Sequence, residues 1–233
     1  MTVLVVSNLD LSDDLHTLTP SAYLESSKKE LTINLTNDYR YLKTGYYVSL
    51  HAEVLGSNVI PSCENIIDSS RTPILLLRAS RANIPTIPFV VTDNVKKIVE
   101  EVGFPTVVFA VNPFIYTGYQ VAKNKSALYR AMKSLGMNYK FTVCAQPLKG
   151  EIRTVKSVFG KSEGRDEQIS AITQKVYELF KLPLCKLHIQ KAEDKAFLCG
   201  LEPLKEIELS KADKDLISQE ILLISQQDEH FSV

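Results

Sequence analysis

The chain has no excess of charge of either sign: its 233 residues carry 27 Lys and Arg against 27 Asp and Glu. Without a positive surplus there is no electrostatic footprint for a polyphosphate backbone or an anionic membrane surface, so neither nucleic acid nor membrane is expected as a partner. Cysteines are few, and Cys63, Cys144, Cys185 and Cys199 lie too far apart for the close pairs of a zinc knuckle or redox motif. They are expected as free core thiols, with Cys144 and Cys185, in apolar strand-like contexts, protonated and inert. His16, His51, His188 and His230 show no metal-ligand spacing, and no Gly-x-Ser-x-Gly occurs, which weighs against a hydrolase built on a nucleophile elbow. No apolar run approaches the roughly 18 residues of a membrane-spanning helix. Residues 1–7 turn polar too soon, and lack the basic start, for a signal peptide, so the expected location is the cytoplasm.

What is present reads as a mixed α/β chain, 45% hydrophobic and long enough for one large domain or two small ones. Residues 2–7 read as a short buried strand, 59–61 as another short strand, and 31–35 alternates like a third. Residues 45–56 read as a helix with Tyr47, Leu50, His51 and Val54 on one apolar stripe and Tyr46, Ser49 and Glu53 together on another. One or two helices follow over 65–83, with Pro73 near a start and Pro85 and Pro88 forcing an extended connection. Cap signals then predict a short helix over 95–102, a strand over 106–111, a strand near 121–123, and a helix over 126–135 capped by Ser126. Residues 139–146 and 151–159 read as the arms of a hairpin. The charged loop 160–166 reads as a boundary, followed by a helix over 167–180, strands over 184–190 and 196–201, and a last helix over 211–225.

The stretch 33–56, with Tyr39, Tyr41, Gly45, Tyr46, Tyr47, Ser49, Glu53 and Gly56, resembles the signature of the domain found N-terminal to RimK-like ATP-grasp ligases. The segments Phe159-Gly-Lys, Tyr177-Glu-Leu-Phe and Leu201-Glu-Pro-Leu resemble its second half. Between them, 78–88, 102–108 and 150–155 resemble pieces of the ATP-grasp fold. The resemblance implies an α/β fold (α+β being the alternative) in which a lobe of residues 1–71 and 161–233 flanks a small ATP-grasp-like subdomain at 72–160.

Departures from that family set the functional expectation. Where the resemblance calls for a phosphate-contacting lysine the chain has Phe109. Where it calls for a small, flexible phosphate loop the chain has residues 112–118, with Pro113, Phe114, Ile115 and Tyr116, so one backbone N–H is missing and bulky side chains crowd the rest. Of the family's magnesium-binding oxygens only Glu202 remains, with no Asn after it. Arg153 stands where the family has a phosphate-contacting arginine.

The reading is an accessory or binding protein without its own ATP-dependent ligation and without a cofactor or a metal. It would bind an amino acid or peptide, or a separately encoded ATP-grasp ligase. Tyr39, Tyr41, Tyr46, Ser49 and Glu53 are the candidate ligand-binding residues: the N–H groups at the start of the helix bearing Tyr46 and Ser49 would meet a carboxylate, and Glu53, about two turns in, would meet the amine. The alternative is an active carboxylate–amine ligase using ATP and Mg²⁺, in which Arg71, Lys123, Arg153 or Lys161 replaces the missing lysine. A structural homo-oligomer is the third reading.

Overall fold

The computed structural model describes residues 3–36, 38–112 and 118–230, without the side chains of 227–230. The first lobe runs β1 (Val3–Val6), β2 (Thr17–Leu18), α1 (Pro20–Leu24), β3 (Leu31–Asn34), α2 (Thr44–Val54), β4 (Val59–Ile60), α3 (Cys63–Ser70) and α4 (Thr72–Arg81). Its four strands form a parallel sheet in the order β2-β1-β3-β4. The second unit is β5 (Val90–Thr92), α5 (Val95–Glu101), β6 (Thr106–Ala110), β7 (Tyr119–Ala122), α6 (Lys125–Leu135) and β8 (Val143–Pro147), an antiparallel sheet in the order β5-β8-β6-β7. The chain then continues through β9 (Glu151–Val158), α7 (Glu167–Phe180), β10 (Leu184–Ala192), β11 (Lys195–Glu202), a 3₁₀ turn at Glu206–Glu208 and α8 (Lys211–His230). The strands β11-β10-β9 make the third sheet, antiparallel throughout.

Burial explains how these layers stack. Val108 and Ala145 of the second sheet pack with Ile98 of α5 and Leu128 and Leu135 of α6. From the same strands Val107, Phe109 and Cys144 face the third sheet. Behind the third sheet, Leu187 and Ile189 join Ile172, Val176 and Phe180 of α7. Ile217 and Ile221 of α8 reach back to Val5 and Ile33 of the first sheet, so the two ends of the described chain share one core. No helix among the described residues is long and apolar enough to cross a membrane.

Three expectations need correction. The hairpin over 139–159 is not formed: β8 pairs with β5 and β6, while β9 pairs with β10. The linker crosses between sheets instead, pinned by Leu148 N–H donating to the Pro105 carbonyl and Lys149 N–H to Gln190 Oε1. The cap of α6 is Asn124, whose side chain accepts from Ala127 N–H, rather than Ser126. Helix α2 buries the face opposite to the one its large side chains mark: Gly45, Val48, Ser49 and Ala52 are inside, while Tyr47 and Val54 are exposed. Small side chains let the helix lie close against the sheet, and close approach decides the face.

The four thiols are buried and unpaired, and burial pushes each up to about 12, so they are inert at neutral pH.

Candidate functional site: a filled cleft between two sheets

Strand β10 alternates. Leu187 and Ile189 enter the α7 core, which leaves Lys186, His188 and Gln190 on the other face, toward the second sheet. Opposite them stands Phe109 at the end of β6, with only 2% of its surface exposed. Its ring centroid is 6.3 Å from that of His188 and 5.8 Å from that of Tyr119, and the Tyr119 and His188 rings meet edge-on at 5.0 Å. The backbone is shaped to admit the ring: a Cβ on Gly200 would lie 2.6 Å from Phe109 Cε1. The space between the sheets is therefore packed with aromatic side chains.

Glu202, at the end of β11, has both carboxylate oxygens engaged. Lys186 Nζ is 2.8 Å from Oε1 and His188 Nε2 is 3.3 Å from Oε2. His188 Nδ1 is 3.2 Å from Thr154 Oγ1, and Lys186 also reaches Glu208 at 2.8 Å. His188 and then Lys186, against the opposing effect of burial, hold the Glu202 carboxyl down to about 2. The backbone of Gly118 presses on the same pair, since a Cβ there would come within 2.7 Å of His188 Nε2 and 2.8 Å of Glu202 Oε2.

Mg²⁺ with ATP does not fit these residues. Glu202, the acidic side chain that the resemblance assigns to a metal, lies 2.8 Å from Lys186 and 3.3 Å from His188 instead. Among the described residues no group of three His, Cys, Asp or Glu is placed to hold an ion. Pro113, Phe114, Ile115, Tyr116 and Thr117 of the expected phosphate loop, like Asn37, lie outside the described residues.

Beside this filled cleft a cavity opens toward the first lobe, walled by Tyr39, Arg40 and Tyr41, by Ser70 and Thr72 at the junction of α3 and α4, and by Glu202. Arg40 makes a two-pronged contact with Asp38 at 2.6 and 2.5 Å. Tyr41 is the exposed wall, and Tyr46 packs edge-on against it at 5.1 Å.

The five candidate ligand residues thus separate. Tyr39 and Tyr41 line the cavity and Tyr46 braces Tyr41. Tyr39 is itself buried, its hydroxyl donating to the Asn34 carbonyl at 2.7 Å. Ser49 is fully buried, accepting from Asn34 Nδ2 at 2.9 Å and donating to the Pro61 carbonyl at 2.7 Å, so it does not project into a cleft. Glu53 accepts from Cys63 N–H at 2.8 Å, tying α2 to the start of α3.

The four candidate phosphate cations are not gathered either. Arg153 pairs in register with Ile189, which places it on the face opposite His188, and it binds Glu151 at 2.9 Å. Lys161 contacts Glu220 of α8 at 2.5 Å, Lys123 is exposed before α6, and Arg71 sits between α3 and α4. Lys186 and Arg40 were missed in the sequence. The available signal was the polar face of β10, Lys186-x-His188-x-Gln190, in a strand whose other positions are apolar.

One consequence is measurable. Glu202 titrates well below its unfolded value of about 4.3, so its contribution to stability is complete above that pH and is lost as pH falls toward about 2. The shift corresponds to at most about 3 kcal/mol. Denaturant unfolding at pH 6 and pH 3 is expected to show a smaller acid loss for Glu202→Gln than for the wild type; equal losses would refute the pairing.

The family model of the RimK-like ATPgrasp N-terminal domain matches residues 18–220. Among solved structures, a RimK domain ATP-grasp protein from Sphaerobacter thermophilus superposes with TM-score 0.62 at 12% identity, covering 94% of this chain and 99% of that one. D-alanine–D-alanine ligase from Bacillus anthracis gives 0.66 at 13%, with 97% of each chain covered. The ATP-grasp ligase PsnB, complexed with its precursor peptide PsnA2 and AMPPNP, gives 0.62 at 12%, covering 97% and 98%. No curated protein sequence matches. At these identities the structural likeness is one of fold, the mixed α/β ATP-grasp fold.

Proposed function

The chain belongs to the RimK-like ATPgrasp N-terminal domain family, and from that premise we propose that it is a cytoplasmic binding or accessory protein of ATP-grasp carboxylate–amine ligation. In this reading it carries no ATP-dependent ligation of its own. It holds an amino acid or peptide, or docks a separate ATP-grasp ligase, at the cavity walled by Tyr39 and Tyr41. The observation that carries the proposal is the ring of Phe109 between the two sheets, with Glu202 already held by Lys186 and His188. A nucleotide and its metal need room and open oxygen ligands, and a packed ring beside an ion-paired carboxylate offers neither, which supports this reading.

The cavity itself has the makings of a small-molecule site: aromatic and aliphatic walls, with Arg40, Thr72 and Glu202 as polar groups. Thermal melts in amino acids and dipeptides, without nucleotide, test it. A true ligand at about 100 times its dissociation constant stabilises by about 2.7 kcal/mol. Tyr41→Ala is expected to abolish that shift while the unliganded melt stays within a few degrees of wild type, because Tyr41 is exposed. A ligand shift that survives Tyr41→Ala would move binding elsewhere.

A further inference from the structure

The neutral charge total hides a strong asymmetry. Between Glu101 and Glu151 there is no acidic residue, while six basic ones occur, leaving 21 basic against 27 acidic side chains in the rest of the chain. Five of the six, Lys123, Lys125, Arg130, Lys133 and Lys140, lie on or beside α6 and all are exposed. Among the described residues none of these five forms an ion pair.

The same surface is apolar in its centre. Lys125, Tyr129 and Lys133 recur every four residues on one stripe of α6, and Tyr129 is 46% exposed. The helix ends in three consecutive left-handed non-glycine residues, Met137, Asn138 and Tyr139, with φ of 51, 57 and 60°. Such a run is disfavoured for L-residues. It folds the chain back so that the Tyr139 hydroxyl donates to the Tyr129 carbonyl at 3.1 Å, and it leaves Met137, Tyr139 and Phe141 exposed beside the helix. The strained turn thereby builds a contiguous aromatic patch rimmed by positive charge.

This patch cannot pair with itself, because like charges would face one another. An occupant needs an apolar knob flanked by acid, and the chain presents one. Ile207 is 92% exposed between Glu206 and Glu208. The knob is rigid: Glu208 accepts from Lys205 N–H at 2.8 Å and pairs with Lys186 at 2.8 Å, fixing the 3₁₀ turn. A preordered knob loses little freedom on docking.

We propose that the α6 patch receives the Ile207 turn of a second copy of this chain, in a head-to-tail contact. The contact is heterologous, so each chain uses its patch for one neighbour and its knob for another. The contacting surfaces, α6 and the Ile207 turn, are not among the walls of the proposed ligand cavity.

Sedimentation of the full chain at low and high salt tests this. Wild type is expected to show a weight-average mass at least double that of one chain at low salt, falling to one chain at high salt. Ile207→Lys and the double substitution Arg130→Glu with Lys133→Glu are each expected to sediment as single chains, with melts within a few degrees of wild type. Mixed together they retain one intact patch and one intact knob, so the mixture is expected to form a one-to-one dimer and nothing larger. Leu223→Lys, exposed on α8, is the control and changes nothing. Wild type that stays a single chain at its solubility limit overturns the proposal, as does association that Ile207→Lys leaves unchanged, or a mixture that remains monomeric.

Discussion

Phe109→Ala is expected to cost the fold about 3–5 kcal/mol, the usual penalty for emptying a buried aromatic site, and to lower the melting temperature on the order of 10 °C. The ring is fully enclosed between the second and third sheets, against Tyr119, His188 and the backbone of Gly200. Its removal opens a hole that strands of two different sheets cannot both collapse to fill. Gly200→Ala supplies the matching control. In the wild type its added methyl would meet the ring at 2.6 Å, so it destabilises; in the Phe109→Ala background it fills part of the hole and is expected to be neutral or stabilising. Chemical denaturation of the two single variants and the double variant reads this coupling directly. Additive effects would mean that the ring does not occupy the space assigned to it.

Asn34→Ala is expected to be nearly as damaging, at about 3 kcal/mol or more, since each buried polar group left without a partner costs about 1–3 kcal/mol. Asn34 is fully buried at the end of β3. Its Nδ2 donates to the Gly45 carbonyl at 2.7 Å and to Ser49 Oγ at 2.9 Å, and its Oδ1 accepts from Thr36 N–H at 3.2 Å and Thr36 Oγ1 at 2.7 Å. Its own carbonyl receives the Tyr39 hydroxyl. One side chain thus fixes the start of α2, the loop after β3 and, through Ser49, the Pro61 carbonyl before α3. Ser49→Ala removes only one branch and is expected to cost about half as much; unfolding midpoints of the two variants and their double decide. If Asn34→Ala is nearly neutral, the network does not organise the lobe.

That network explains what the sequence could and could not reveal. The tyrosine-rich stretch 33–56 is distinctive, and the resemblance it supports is correct, but distinctiveness alone does not tell ligand contact from internal structure. For Ser49 the cause is a hydrogen-bond hub inside the lobe, and a serine one turn from Glu53 looks the same in sequence whether it faces water or Asn34. The face of α2 was misread for a related reason. Hydrophobic periodicity follows large side chains, whereas this helix is buried through Gly45, Ser49 and Ala52, whose smallness permits contact with the sheet.

The longer strands were legible because apolar runs such as 106–111 are unambiguous, whereas the short β2 and β5 carry no such run. Strand partners were not. Two strands separated by three residues usually pair, yet Leu148 and Lys149 carry the chain from one sheet into another. An apolar Phe109 where the resemblance calls for a lysine was readable in advance as an expected loss of charge. That the ring would fill the slot, with Gly200 making room and Lys186 and His188 closing on Glu202, required long-range contacts that no local pattern encodes.

Isothermal titration of the purified chain with Mg²⁺ and ATP tests the central claim most directly. If, as proposed, Phe109 fills the cleft and Glu202 is held by Lys186 and His188 in place of a metal, the expected result is no saturable heat and no rise in melting temperature. Saturable binding with a micromolar dissociation constant would contradict the account.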